Sequence, residues 1–325
     1  MVAYARAVIR TAALRLLLLS LTAGAVVALS AHDARRADAA SSVTLASGTY
    51  AARTTIPVTI DGQRAECILD TGSSAVLVSP ALAHAAGLQA RAATFEVAPD
   101  GRSYMDHQTT IGRLGVAGYS LHDVRALISS NLTGNNALCG YDFLAHFPLL
   151  LDRDRQVVTL FPASSKLDRM HCIPIDVTAR IALATVEINE TRMNHIVLDS
   201  GMAGGGVMWE GARTQLHRPL VADADYQTQP EAARAGFACG AIASVRYTPG
   251  SPVTPMPICT EPQRPDGYNG MLETNLTSVH AMAIDYPHRR MCFDVGGYVA
   301  QDSSSAQPTY WHDAWSRFKY LRPPR

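Results

Sequence analysis

The sequence predicts a mainly β protein made of two similar lobes, and three observations carry that prediction. Short β-branched runs punctuated by Gly, Pro and Asp recur at strand-like spacing along the 325 residues. An apolar strand running into Asp-(Thr/Ser)-Gly occurs twice, as Cys67-Ile68-Leu69-Asp70-Thr71-Gly72-Ser73-Ser74 and as Ile196-Val197-Leu198-Asp199-Ser200-Gly201. The segments around the two copies also correspond, which reads as an internal duplication. No strand–helix alternation of the βαβ kind appears, which argues against a doubly wound nucleotide fold.

Composition narrows the function classes. Apolar residues form 47% of the chain and charged residues 17%, enough for real hydrophobic cores and too apolar for a disordered chain. Lys plus Arg and Asp plus Glu are 28 each, so the formal net charge is zero. No basic field exists to hold a phosphate backbone, and nucleic acid is not an expected partner. Lys166 and Lys319 are the only lysines; the arginine and alanine bias resembles a chain from a GC-rich bacterial genome.

Residues 1–40 read as a signal peptide. Arg6, Arg10 and Arg15 form a positive start, and the apolar run from Leu16 to Ala31 is shorter than the roughly 20 residues a spanning helix needs. Small-residue cleavage options follow at Ala28-Leu29-Ser30 and Ala37-Asp38-Ala39. An uncleaved anchor is the alternative. The expectation is an exported protein, periplasmic or secreted if bacterial, with no stable membrane span after cleavage. Six cysteines, an even number, can all oxidise in such a compartment, although six allow 15 pairings and sequence alone selects none. None stands in a C-x-x-C pair, so neither a thiol redox site nor a zinc knuckle is expected, and no metal or cofactor is implied.

The first lobe spans about residues 45–165. A hairpin with Asp61-Gly62 at its turn precedes the Asp70 strand, and Ala75-Val76-Leu77-Val78 follows it. Ser79-Pro80-Ala81 to Gly87 reads as a short helix with an N-cap, Pro in its first turn and Gly at its end. A turn around Ala98–Tyr104 lies between two β-like segments. Leu138-Cys139-Gly140 then leads into a second short helix and the strands around Pro148–Asp152 and Val157–Phe161. The second lobe, about residues 170–297, repeats the order with a hairpin at Asn189-Glu190, the Asp199 loop, Asn269-Gly270-Met271-Leu272, Ala281–Pro287 and Arg290–Phe293. Asp70 and Asp199, Gly140 and Gly270, and Asp152 and Asp285 stand 129, 130 and 133 residues apart. Residues 298–325 form an aromatic C-terminal tail outside the repeat. Its Trp311 and Trp315 stand at i, i+4 spacing, and the tail is expected to dock on a lobe.

Two Asp-(Thr/Ser)-Gly copies, each about 70 residues before an apolar–Gly step, resemble the aspartic proteases, and specifically retropepsin-like domains fused in tandem. The resemblance implies a bilobal acid-protease fold with the active site at the lobe interface, monomeric action and a peptide or protein substrate. It implies Asp70 and Asp199 as the catalytic pair, with Thr71, Gly72, Ser73, Ser200 and Gly201 supporting them. Tyr104 is the flap candidate, and the second flap is expected within Gly236–Pro257. Three bridges are implied. Cys172 and Cys292 lie on terminal strands that meet in the resembled fold, Cys239 and Cys259 bracket the second flap region, and Cys67 and Cys139 lie on neighbouring strands. Two close carboxylates share one proton, so one can take a proton from water while the other donates to a carbonyl. Met202, where the family has a small or hydroxyl residue, and the glycine run after it motivate the alternative of a catalytically weak or inactive peptide-binding scaffold.

Other hydrolase patterns are missing. The sequence has no G-x-S-x-G elbow and no Walker loop, and its 11 histidines show no H-E-x-x-H spacing. His195, about 13 Å along a strand from Asp199, is expected to be a packing residue.

Overall fold

The structure is a computed structural model that describes residues 42–50, 53–97, 103–165, 170–202, 205–222, 238–249, 253–261, 267–274 and 281–294. The expected signal segment and the aromatic tail lie outside these residues.

The first half runs β1 (Val43–Ala46), β2 (Gly48–Tyr50), β3 (Arg53–Ile60), β4 (Gln63–Leu69), β5 (Val76–Val78) and α1 (Pro80–Ala85). It continues with β6 (Ala93–Val97), β7 (Ser103–Val116), β8 (Tyr119–Ile128), β9 (Asn136–Cys139), α2 (Tyr141–Leu144), β10 (Leu149–Asp152) and β11 (Val157–Leu160). The second half runs β12 (His171–Pro174), β13 (Leu183–Ile188), β14 (Thr191–Asp199), β15 (Gly206–Trp209) and α3 (Glu210–Arg213). It ends with β16 (Val221–Ala222), β17 (Ala238–Arg246), β18 (Thr254–Glu261), β19 (Gly270–Glu273), β20 (Ala281–Asp285) and β21 (Arg290–Asp294). The chain is mainly β and bilobal.

Local chemistry accounts for these elements. Along β3, Ile56, Val58 and Ile60 alternate inward with exposed Pro57 and Thr59 outward, the period-2 pattern of a half-buried strand. Asp61 and Gly62 take positive φ of 45° and 88°, as a tight hairpin demands, and Asn189 and Glu190 do the same at 47° and 62°. In α1, Ser79 is the N-cap, its hydroxyl accepting the Leu82 N–H at 3.0 Å, and Pro80 opens the first turn.

The two halves repeat one set of pairings. The first sheet is ordered β2-β3-β4-β9-β5-β8-β7-β6, closed by β3 on β7. The second is ordered β13-β14-β19-β15-β18-β17-β16, closed by β13 on β17. The register corrects two expectations. Leu69 pairs with Cys139 and Leu198 with Leu272, so the residue level with Gly140 is Glu273, and Gly270 stands three positions earlier. The antiparallel pair that matches β6–β7 is β16–β17, whereas the described part of Gly236–Pro257 falls mainly on β17–β18, the counterpart of β7–β8.

A third sheet, ordered β1-β11-β10-β20-β21-β12, is built by both halves. Its central seam pairs Leu149 with Ile284 and Leu151 with Met282, all essentially buried. Each such side chain removed from water contributes about 1.5–3 kcal/mol, so this seam ties the halves firmly together. Three disulfides staple the chain: Cys67–Cys139 joins β4 to β9, Cys172–Cys292 joins β12 to β21, and Cys239–Cys259 joins β17 to β18. These are the pairings the resemblance implied.

Candidate active site

Asp70 and Asp199 end equivalent strands. Each follows three apolar residues that are buried, Cys67-Ile68-Leu69 and Ile196-Val197-Leu198, so the strand carries its carboxylate into the interior. Asp70 is 9% exposed and Asp199 6%, and the two carboxyls are close enough to act on each other. Gly72 lies against Asp199 and Gly201 against Asp70. A Cβ on Gly72 would stand 2.7 Å from the Asp199 carboxyl carbon, and one on Gly201 would be closer still to that of Asp70. Glycine is required at both places because each backbone runs under the opposite carboxylate.

Fully buried Thr71 and Ser200 lock the two loops reciprocally. The Thr71 N–H donates to the Ser200 hydroxyl at 3.1 Å and the Ser200 N–H donates to the Thr71 hydroxyl at 2.9 Å. Each hydroxyl donates onward to the opposite strand, Thr71 to the Leu198 carbonyl at 2.6 Å and Ser200 to the Leu69 carbonyl at 2.8 Å. Within its own loop, Asp70 Oδ1 accepts the Gly72 N–H at 2.8 Å, and Asp199 Oδ1 accepts those of Gly201 and Met202 at 2.7 and 2.9 Å.

Burial pushes both carboxyls above their ordinary value of 3.8, and the negative charge of Asp70 adds to the rise at Asp199. Backbone N–H groups and the Arg53 charge pull the other way without cancelling it. The pair therefore titrates as a unit and holds a proton where a lone Asp would be ionised. One member can accept a proton from water while the other donates one. Among the described residues, no group of three His, Cys, Asp or Glu side chains is placed to hold a metal ion.

Two supports had no signal in the sequence. The Tyr286 hydroxyl, just after β20 in the shared sheet, donates to the Thr71 carbonyl at 2.9 Å. Burial, followed by the charges of Asp70 and Asp199, pushes this phenol well above its usual range, which keeps it a neutral donor. Arg180 of the second half donates from Nε to the Ser74 carbonyl at 3.0 Å, pairs with Asp142, and lies 4.5 Å over the Tyr141 ring. These contacts span 38 to 215 residues of chain, beyond the reach of local pattern.

Residues 56–146 match the family described as gag-polyprotein putative aspartyl protease. The match runs from β3 past α2 and contains Asp70, Thr71, Gly72 and Gly140. It supports an aspartyl-protease domain in the first half and a peptide substrate. No curated protein matches the chain.

The remaining expectations divide. Ser73 sits in the loop, but its hydroxyl donates to the Ala75 carbonyl at 3.0 Å instead of to either aspartate carboxylate. Met202, at the equivalent place, supports Asp199 through its backbone, so the missing hydroxyl takes nothing from the carboxyl pair. Tyr104 lies on β7 opposite Glu96, its side chain and the turn at 98–102 being outside the described residues. His195 is exposed at positive φ where β14 bulges, so it packs in no core.

Proposed function

We propose that the chain is an aspartic endopeptidase that hydrolyses peptide bonds with a water activated between Asp70 and Asp199. One observation carries the reading: two buried carboxyls, one from each half, are brought together, each against the other loop's glycine, and share the conditions for a single proton. The ionised carboxylate takes a proton from the bound water as oxygen attacks the peptide carbonyl carbon. The protonated partner donates to the carbonyl oxygen, giving a gem-diol. On collapse the now ionised partner takes back a hydroxyl proton, the first carboxyl gives its proton to the departing nitrogen, and the amine leaves. Shared-proton carboxylates in the aspartic proteases are the type case of this chemistry. Repetition of the strand pairings around both acids favours a tandem duplication, with lobes of about 45–165 and 170–297. Thr71, Gly72, Ser200 and Gly201 would hold the acids in place, Ser73 would brace its loop, and Tyr104 would belong to the first flap. The cysteine pairing favours an exported, oxidised protein, and with both acids supplied by one chain it would act as a monomer.

The test is to incubate the oxidised chain with a denatured protein from pH 3 to 7, with and without a pepstatin-type inhibitor. The proposal expects cleavage at acid pH that the inhibitor abolishes. Failure to cleave while the inhibitor still binds would favour the peptide-binding scaffold.

A further inference from the structure

Glu273 occupies the level beside Asp199 that Gly140 occupies beside Asp70. In the first half there is no room for a side chain there: a Cβ on Gly140 would fall 2.5 Å from the Ser73 carbonyl oxygen and 2.9 Å from the Ser73 Cβ. The second half reaches its next strand one residue later. Val76 is the first β5 residue opposite Cys139, whereas Gly206 is the first β15 residue opposite Leu272. The longer loop makes space for a glutamate, and the glutamate holds the loop at Gly205. Glu273 Oε2 accepts the Gly205 N–H at 2.8 Å, and the Glu273 N–H donates to the Gly205 carbonyl at 2.9 Å. Gly205 adopts φ of +113°, and a Cβ there would fall onto the Pro257 carbonyl oxygen, so only glycine fits. Glu273 is itself fixed, being 6% exposed, and its carbonyl accepts the Tyr247 hydroxyl at 2.7 Å.

We propose that Glu273 is a positioning residue for Asp199, acting through Gly205 to hold the loop whose Gly201 and Met202 amides donate to the Asp199 carboxylate. The inference rests on the proposed acid pair. It also gives Gly205 a purpose, since a clamp on its backbone does in the second loop what the Ser73 hydroxyl does in the first. The groups that face the acid pair are Arg53 from β3 and Tyr286 from the end of β20, and Tyr247 faces Glu273. None of them changes in the variants below.

Loosening the clamp withdraws amide donors from ionised Asp199, so the acid pair should titrate at higher pH. The experiment measures kcat, KM and the pH–rate profile for wild type, Glu273→Gln, Glu273→Met and Asp199→Asn, with folding followed by circular dichroism. Glu273→Gln keeps an acceptor for Gly205 and should stay within about twofold of wild type with both pH limbs in place. Glu273→Met keeps the volume without the acceptor. It should lower kcat about tenfold or more, leave KM within about threefold, and move both limbs up by about half a pH unit. A residue serving stability alone would lower the folded fraction and leave the limbs where they are. Wild-type limbs in Glu273→Met, or equal impairment in both variants, would overturn the inference. Should the Met variant not fold, Glu273→Ser, too short to reach Gly205, takes its place. Unfolding of both also overturns the inference, because Glu273 would then serve the fold and not the loop. If Asp199→Asn cleaves like wild type, the failure belongs to the acid pair and not to Glu273.

Discussion

Thr71 and Ser200 exchange backbone-to-hydroxyl hydrogen bonds across the boundary between the halves, at 3.1 and 2.9 Å, and each hydroxyl reaches on to the strand that carries the other loop's aspartate. Four hydrogen bonds thus fix the relative position of two acids separated by 129 residues. Ser200→Ala leaves the buried Thr71 N–H and the Leu69 carbonyl without these partners. It should cost about 1–3 kcal/mol and lower kcat without abolishing it. Urea unfolding and steady-state cleavage check both halves of the statement, and an unchanged midpoint would contradict it.

Gly72 and Gly201 are predicted to tolerate no side chain. Alanine at Gly201 drives its Cβ into the Asp70 carboxylate, and alanine at Gly72 does the same to Asp199. Each should lower cleavage about 10²-fold or more, because the reacting groups are displaced by roughly the size of the clash. Alanine at exposed Gly62 meets no atom within 4 Å and serves as the control for backbone effects, since its φ of +88° adds only local strain. Activity of Gly201→Ala near that of the control would contradict the close approach.

Stability should fall as pH rises through the titration of the acid pair. Both carboxyls are raised above 3.8, so the folded protein holds a proton that the unfolded chain has released. That contribution is fully present below the unfolded value and is lost as pH rises through the folded one. Asp199→Asn removes one of the two groups. Its thermal midpoint should approach that of wild type near pH 3.5 and exceed it increasingly toward pH 7. Scanning calorimetry of both proteins reads this directly, since about 1 kcal/mol moves the midpoint about 2–4 °C in a chain of this size. A gap that narrows with rising pH would contradict the shared proton.

Both Asp-(Thr/Ser)-Gly turns were legible in the sequence because the motif is local: three apolar residues, an acid, a hydroxyl and a glycine required by a close approach. The cysteine partners followed from the resemblance, since they lie on strands whose neighbours the fold dictates. Gly270 resembles Gly140 in its apolar–Gly pattern, whereas the β14–β19 register makes Glu273 the equivalent residue. A one-residue lengthening of the Asp199 loop and a glutamate in place of glycine erased the local signal. Tyr286 and Arg180 were invisible for a different reason. Their partners lie in the other half, and nothing in their own neighbourhoods distinguishes them from ordinary turn residues.

The disulfides should differ in worth with the length of chain they close. Cys172–Cys292 closes 120 residues and Cys239–Cys259 closes 20. On chain entropy alone the longer loop contributes about 1.6 kcal/mol more. Replacing each pair by alanine and unfolding the variants in guanidinium gives the comparison. The Cys172/Cys292 variant should be the less stable, and the reverse order would show that packing at the bridge outweighs loop closure.

The central claim is that one acid from each half is required for cleavage, and the most direct measurement is the cleavage rate of folded Asp70→Asn and Asp199→Asn against wild type at the acid optimum. Asparagine keeps the shape of aspartate but exchanges no proton, so each variant should lose about 10²- to 10⁴-fold in kcat while remaining folded. Equal and near-complete loss in both is the result the account predicts. Wild-type cleavage by Asp199→Asn beside a dead Asp70→Asn would contradict it, because the second half would then supply no acid to the reaction.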